Sequence, residues 1–396
     1  MAQHFTHLKN SSALKFIIFF GVISFFADMT YEGARGIMGP YLLTLGASAT
    51  AVGIIAGFGE FIGYALRLIF GYLADKTGRY WTITIAGYMI NLLAVPALAL
   101  TNQWYLAAGL LICERMGKAI RNPARDAMLS HAGRSTGMGW AFGLNEALDQ
   151  FGAMLGPLIV IVVMYFNGSY QHSFAWLLIP AVCAISLVIV ARNLYPHPEK
   201  METESPYEIH YSGMNRSYWL YLLGAALVAA GFTDFSLMSY HFEKIHEFNK
   251  IWIPVIYALS MGINSISAPL LGHLYDKKGF MILIIVTLIS SIFAPLVFYG
   301  NLGWIIFGML LWSIGVGAHE SLMKAIVAHM VAPEQRSSAY GIFNTGYGVF
   351  WFIGSALMGY LYDHWFLGLI IFSVTIQLCA LPILIMVCNR IKYNKC

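Results

Sequence analysis

Read from its start, the chain alternates long apolar stretches with short polar breaks, and no period-2 alternation runs through the apolar stretches. Runs such as "LLIPAVCAISLVIVA" (177–191), "ILIIVTLISSIFAPLVF" (282–298) and "LGLIIFSVTIQLCALPILIMVC" (367–388) approach or exceed the roughly 20 residues a helix needs to cross a bilayer. The missing alternation argues against the strands of an outer-membrane barrel. Turn residues and polar breaks divide the chain into twelve predicted helices near 14–45, 49–74, 80–101, 104–132, 138–167, 172–192, 218–242, 250–275, 279–299, 301–331, 336–362 and 366–389. One long polar connection, 193–217, is rich in proline and acids and predicts a solvated linker. The expected fold is an all-α membrane protein, with a six-helix bundle over 1–192 and another over 218–396.

Composition agrees: 59% of the 396 residues are hydrophobic and 11% charged, where soluble domains carry about 25% charge. The opening "MAQHFTHLKNSSALK" is polar for too long, and lacks the small-residue cleavage site, for a removable signal peptide. The first apolar run is therefore expected to be the first span. The five cysteines lie in apolar spans or at the C-terminus without metal-ligand spacing, so they predict small buried hydrophobes and no metal. Charge placement is more informative. Fourteen lysines and arginines fall on one side of the predicted spans, two (Lys244 and Lys250) on the other, and seven inside spans. The positive-inside rule then predicts cytoplasmic termini and a cytoplasmic linker, in a bacterial inner membrane. Because topology accounts for the net charge of +4, no nucleic-acid partner is called for. The expected partners are the bilayer and a small-molecule solute, with the chain working as a monomer.

The halves repeat. "GYLADKTGR" (71–79) returns as "GHLYDKKGF" (272–280), and Arg134, Gly139 and Gly152 match Arg336, Gly341 and Gly354 at an offset of 202. Asp28 and Asp234, each midway along the first helix of its half, differ by 206. Such parallel repeats predict two bundles rocking around a central site. In the loop after the second span, Gly71 and Gly78 permit close packing and a tight turn. Asp75 can accept from a neighbouring helix N-terminus or pair with Arg79 or Arg134. Gly272, Asp276, Gly279 and Arg336 form the second copy, and the two together suggest a gate lock.

The pattern G-x-L-x-D-x-x-G-R resembles the loop signature of the major facilitator superfamily, in its bacterial twelve-helix form, and the resemblance extends over the whole chain. It implies that helices one, four, seven and ten line a cavity, that two, five, eight and eleven flank it, and that the rest are peripheral. Gly152, Gly156 and Pro157 in "GAMLGPLI" resemble the fifth-helix element of the drug/proton antiporters, although Val160 and Ile161 stand where that element continues with glycines.

Ionisable residues inside the spans are costly in lipid and therefore expected to face protein or water. "ERMGKAIRNPARD" (114–126) packs six charges into thirteen positions, and Glu114, Lys118, Arg121 and Arg125 fall within about 60° on a helix. Asp28, Glu32 and Arg35 share a face of the first helix, and Glu60 and Arg67 a face of the second. Helix five carries Glu146 and Asp149, helix seven Asp234, and helix ten His319, Glu320 and Lys324. Arg121 with Asp149, and Arg125 with Glu146, are expected to be structural ion pairs. Asp28, Glu32, Glu114 and Asp234 are candidates for proton exchange, with Arg35, Glu60, Lys118, Glu320 and Lys324 completing the cavity set. Tyr31, Phe142, Phe235, Tyr240, Phe343 and Tyr347 could stack on an organic solute, although packing is the plainer role for each. His319 is expected to be a hydrogen-bonded helix residue. No Walker-type phosphate loop is present, and His319–Glu320 lacks the second histidine of a zinc-protease helix. No catalytic residue, metal or cofactor is expected; the coupling ion would be the proton. The expected function is secondary transport of a small organic solute by alternating access. Export by antiport is preferred to nutrient uptake by symport, and an intramembrane enzyme or a transporter-like receptor is the remote alternative.

Overall fold

The computed structural model describes residues 2–136, 138–198, 215–246, 248–331 and 336–393. Side chains are described outside 2–11, 133–143, 167, 276, 320–321, 324–325, 328–329, 336–338 and 391–393. Every segment predicted to span is helical, and no strand occurs among the described residues. Among the described residues, ten helical segments are long and apolar enough to cross a membrane. The other two predicted spans, Trp104–Thr136 with its charged stretch and Arg336–His364, are also helical throughout.

The helices pack as two units, Met1–Arg35 with Leu66–Tyr207 and Gly36–Ala65 with Glu208–Cys396. Unit one holds α1 (Ala2–Arg35), the later part of α3 (Ala49–Thr77), α4 (Tyr80–Ala97), α5 (Trp104–Thr136), α6 (Met138–Asn167), α7 (Tyr170–Trp176) and α8 (Leu178–Leu194). Unit two holds α2 (Met38–Thr44), the start of α3, α9 (Arg216–Gly231), α10 (Phe235–Ile245), α11 (Trp252–Lys278), α12 (Met281–Ser290), α13 (Phe293–Tyr299), α14 (Leu302–Met330), α15 (Arg336–His364) and α16 (Phe366–Tyr393). Gly36–Ala65 differs from the sequence division, because it precedes the linker yet packs among the C-terminal helices.

Small residues explain that placement. A Cβ on Gly39 of α2 would lie 2.0 Å from the Ser236 carbonyl oxygen, and one on Gly53 of α3 2.3 Å from that of Ser355. Only glycine lets these backbones touch. At the start of α3 the Asp363 carboxylate accepts from Thr50 N (2.8 Å), Thr50 Oγ1 (2.7 Å) and Ala49 N (3.3 Å). It thereby satisfies amide groups that a helix N-terminus leaves open.

The seventh span is broken between α9 and α10. Gly231 O accepts from Ser373 Oγ (2.7 Å) and Gln377 Nε2 (3.0 Å), and Thr233 O accepts from Trp312 Nε1 (3.0 Å). Backbone groups freed inside a membrane protein need such replacements. In unit one, Gly152 and Gly156 of α6 bring that helix onto α1. An added Cβ would meet Phe25 O at 2.2 Å and Met29 O at 2.3 Å, respectively. Gly117 likewise seats α5 on α4, 2.3 Å from Asn91 N by the same measure.

Candidate functional site

The closely packed helices α1, α4, α5 and α6 enclose the charges of unit one. At their centre is Tyr31 of α1. Lys118 Nζ stands 3.9 Å from the centroid of its ring, and the Arg121 guanidinium 5.7 Å. Arg121 is fully buried and lies 4.3 Å over the Tyr88 ring of α4. Asp28, one turn before Tyr31 and 8% exposed, lies within electrostatic reach of Tyr31, Lys118 and Arg121. Arg121 Nε and Nη1 have no hydrogen-bond partner among the described residues, and neither does the Tyr88 hydroxyl. A buried cation loses several kcal/mol of hydration, which stacking on two rings offsets only in part.

One turn further along α5, Arg125 is fully engaged. It binds Asp126 Oδ1 through Nε and Nη2 (both 2.9 Å), donates from Nη1 to Ser24 Oγ (3.2 Å), and lies 3.8 Å from Asp149 Oδ2. Asn145 Nδ2 donates to the same Asp149 oxygen (3.1 Å), and Ser24 Oγ donates to Asn145 Oδ1 (3.2 Å). The expected pairs are therefore corrected: Asp149 belongs to Arg125, not Arg121. Glu146 is exposed and accepts from Gln150 (3.3 Å) instead of pairing with Arg125. The axial register of α5 against α6 is one turn from that assumed.

Glu114 also leaves the face it was expected to share with Lys118. Its Oε1 accepts from Asn91 Nδ2 (2.8 Å) and its Oε2 lies 3.3 Å from Arg115 Nε, closing a network between α4 and α5. Glu32 and Arg35 pair with each other at 3.7 Å, and Glu60 and Arg67 are half-buried on α3. Asp234 caps α10, accepting from Ser236 N at 2.8 Å. His319 Nδ1 meets the Tyr347 hydroxyl at 2.8 Å, as a hydrogen-bonded helix residue would.

In the loop signature, Gly78 (φ +63°) and Gly279 (φ +67°) take backbone conformations that favour glycine. Gly71 meets Pro123 at ordinary contact distance, whereas Gly272 faces open space. Asp75 and Arg79 are exposed, and Asp75 accepts from the Tyr80 hydroxyl at 3.2 Å. Arg134, Asp276, Glu320, Lys324 and Arg336 lie outside the residues whose side chains are described. Sequence reasoning missed Ser24, Tyr88, Asn91 and Asn145, uncharged polar residues in apolar helices. For Asn91, set between Ile90 and Leu92, its isolation among aliphatic neighbours was the available signal.

Apolar helices of spanning length, with ionisable side chains paired and buried between them, define a polytopic membrane protein. The family model of the Major Facilitator Superfamily matches residues 19–354, and the chain belongs to that superfamily, whose members are transporters rather than enzymes. An uncharacterized protein of Mycobacterium tuberculosis is 37% identical over 376 residues, covering 93% of this chain and 92% of the relative. An uncharacterized MFS-type transporter of Methanocaldococcus jannaschii is 25% identical over 361 residues, 88% of each chain. Among solved structures, a mutant of the nucleoside transporter NupG superposes with a TM-score of 0.73 at 14% identity, covering 94% of this chain and 98% of that one. At that identity the likeness shows the shared fold.

Proposed function

We propose that this transporter moves a small organic solute by alternating access, as a monomer, and couples it to protons through Asp28. The carrying observation is Asp28 itself, a buried acid whose charge partners are two cations on a neighbouring helix. An acid held this way changes its proton affinity when either cation is engaged elsewhere, which is what coupling requires. Basic residues concentrated on one side of the spans support cytoplasmic termini and linker, in a bacterial inner membrane. Gly152, Gly156 and Pro157 resemble an element of antiporters, which favours export by antiport. Both glycines act as backbone contacts to α1, a role that serves either direction of transport.

The test is proton movement in proteoliposomes carrying a pH-sensitive dye, challenged with a panel of solutes. At least one solute should move protons with the unmodified protein. Asp28→Asn should abolish that movement, while Glu114→Gln, whose acid is closed against Asn91 and Arg115, should preserve it. Solute-driven proton flux that survives Asp28→Asn would remove Asp28 from the mechanism.

A further inference from the structure

Three of the buried acids of unit one are closed into pairs: Glu32 with Arg35, Glu114 with Arg115, and Asp149 with Arg125. Among the described buried acids of unit one this leaves Asp28, which faces two cations, Lys118 and Arg121. Among the described residues Arg121 makes no ion pair with a carboxylate, although the charges of Asp28 and Asp149 both act on it. Arg121 is fully buried with two nitrogens unbonded, and Lys118, half-buried on the same face of α5, leans on the same tyrosine ring. A guanidinium fork with open N–H groups is complementary to a planar carboxylate, and Lys118 adds a mobile second donor.

We infer that Arg121 and Lys118 form an anion subsite: the solute carries a carboxylate, which replaces Asp28 as their partner while Asp28 takes up a proton. The assignment rests on Asp28 being the coupling acid. The balance is simple. One proton passes from water to the Asp28 carboxylate, forming an O–H bond, and one solute carboxylate passes from water to the two cations. The charge of the site is unchanged, so the exchange leaves no uncompensated ion in the bundle.

The surroundings leave Asp28 as the group that responds. On α1 it is flanked by Tyr31 and Glu32, and Glu32 is held by Arg35. From α5 it faces Lys118 and Arg121. Asp149 of α6, which also senses it, is engaged by Arg125 and Asn145. Tyr88 of α4 faces Arg121, and α8, also packed on α1, carries no charge except Arg192 near its end.

The linkage has a sign. Because the proton frees the cations that the anion needs, proton and anion strengthen each other's binding by the same factor. They therefore travel together. Within the transporter class this is symport of an organic anion. A cationic solute would instead compete with the proton for Asp28, which gives exchange.

The experiment uses the purified full chain and matched probes: benzoate, lactate and N-acetylglycine, each beside its amide. Binding is measured by titration calorimetry at pH 6 and pH 8. At least one acid should bind, its amide at least about tenfold more weakly, and acid affinity should rise by up to about tenfold per unit of falling pH. Asp28→Asn should make that affinity independent of pH. Arg121→Gln should abolish acid binding. If that variant does not yield folded protein, Arg121→Lys, which keeps the charge but loses the fork, and Lys118→Gln should each weaken it. Amides binding as well as acids, affinity rising with pH, or no acid binding at all would overturn the assignment. Proton flux driven only by neutral or cationic solutes would also overturn it, while leaving the coupling role of Asp28 intact.

Discussion

Arg125 and Arg121 stand one turn apart on the same helix, and their contacts set them apart. Arg125 reaches Asp149, Asp126 and Ser24; Arg121 reaches two aromatic rings. Breaking a buried pair from one side leaves a charge uncompensated, at about 3–5 kcal/mol. Arg125→Ala and Asp149→Ala should each lower the melting temperature in detergent, and the double variant should recover part of the loss. Arg121→Ala combined with Asp149→Ala should show no such coupling, and strong coupling there would contradict the geometry. The sequence placed all these charges inside the protein and away from lipid, because ionisable groups in a span have few alternatives. It could not assign partners, since a one-turn shift between two helices changes every pairing while leaving the helical wheel intact. Nor could it show that Glu114 turns towards α4, because the partner that draws it there is the neutral Asn91.

At the scale of the helices, hydropathy located the helical segments, ten of which are long and apolar enough to span among the described residues, but hid their interruptions. Phe26-Ala27-Asp28 and Phe232-Thr233-Asp234 match at an offset of 206 and look interchangeable. Asp28 nevertheless lies inside an unbroken helix, whereas Asp234 begins one. The difference comes from groups distant in sequence. Ser373, Gln377 and Trp312 take up the carbonyls freed at the second site, so the chain can unwind there. Asp234 is therefore best explained as a helix cap. Asp234→Ala should cost about 0.5–2 kcal/mol of stability, whereas Asp234→Asn, which can still cap, should keep most of it. Thermal unfolding of the two variants checks this. Equal losses would mean that the charge of Asp234, rather than its hydrogen bond to Ser236, is what the fold uses.

For the whole molecule, the orientation inferred from lysine and arginine has a direct check. Single cysteines introduced into 193–217, in a background without the native five, should react with a membrane-impermeant maleimide in inverted vesicles and not in intact cells. Labelling in intact cells would reverse the assignment of sides. The internal repeat also extends to atomic contacts. Gly152 meets the carbonyl of Phe25 in one half, and Gly354 meets that of Ala230 in the other, where an added Cβ would lie 2.2 Å and 2.0 Å away. The same backbone contact thus occurs twice in one polypeptide, once beside the charged cluster and once beside the broken helix. An experimenter gains an internal control from this duplication. The same perturbation can be made at either glycine, in the same membrane and at the same expression level, so any difference in outcome belongs to what each contact supports rather than to the contact itself.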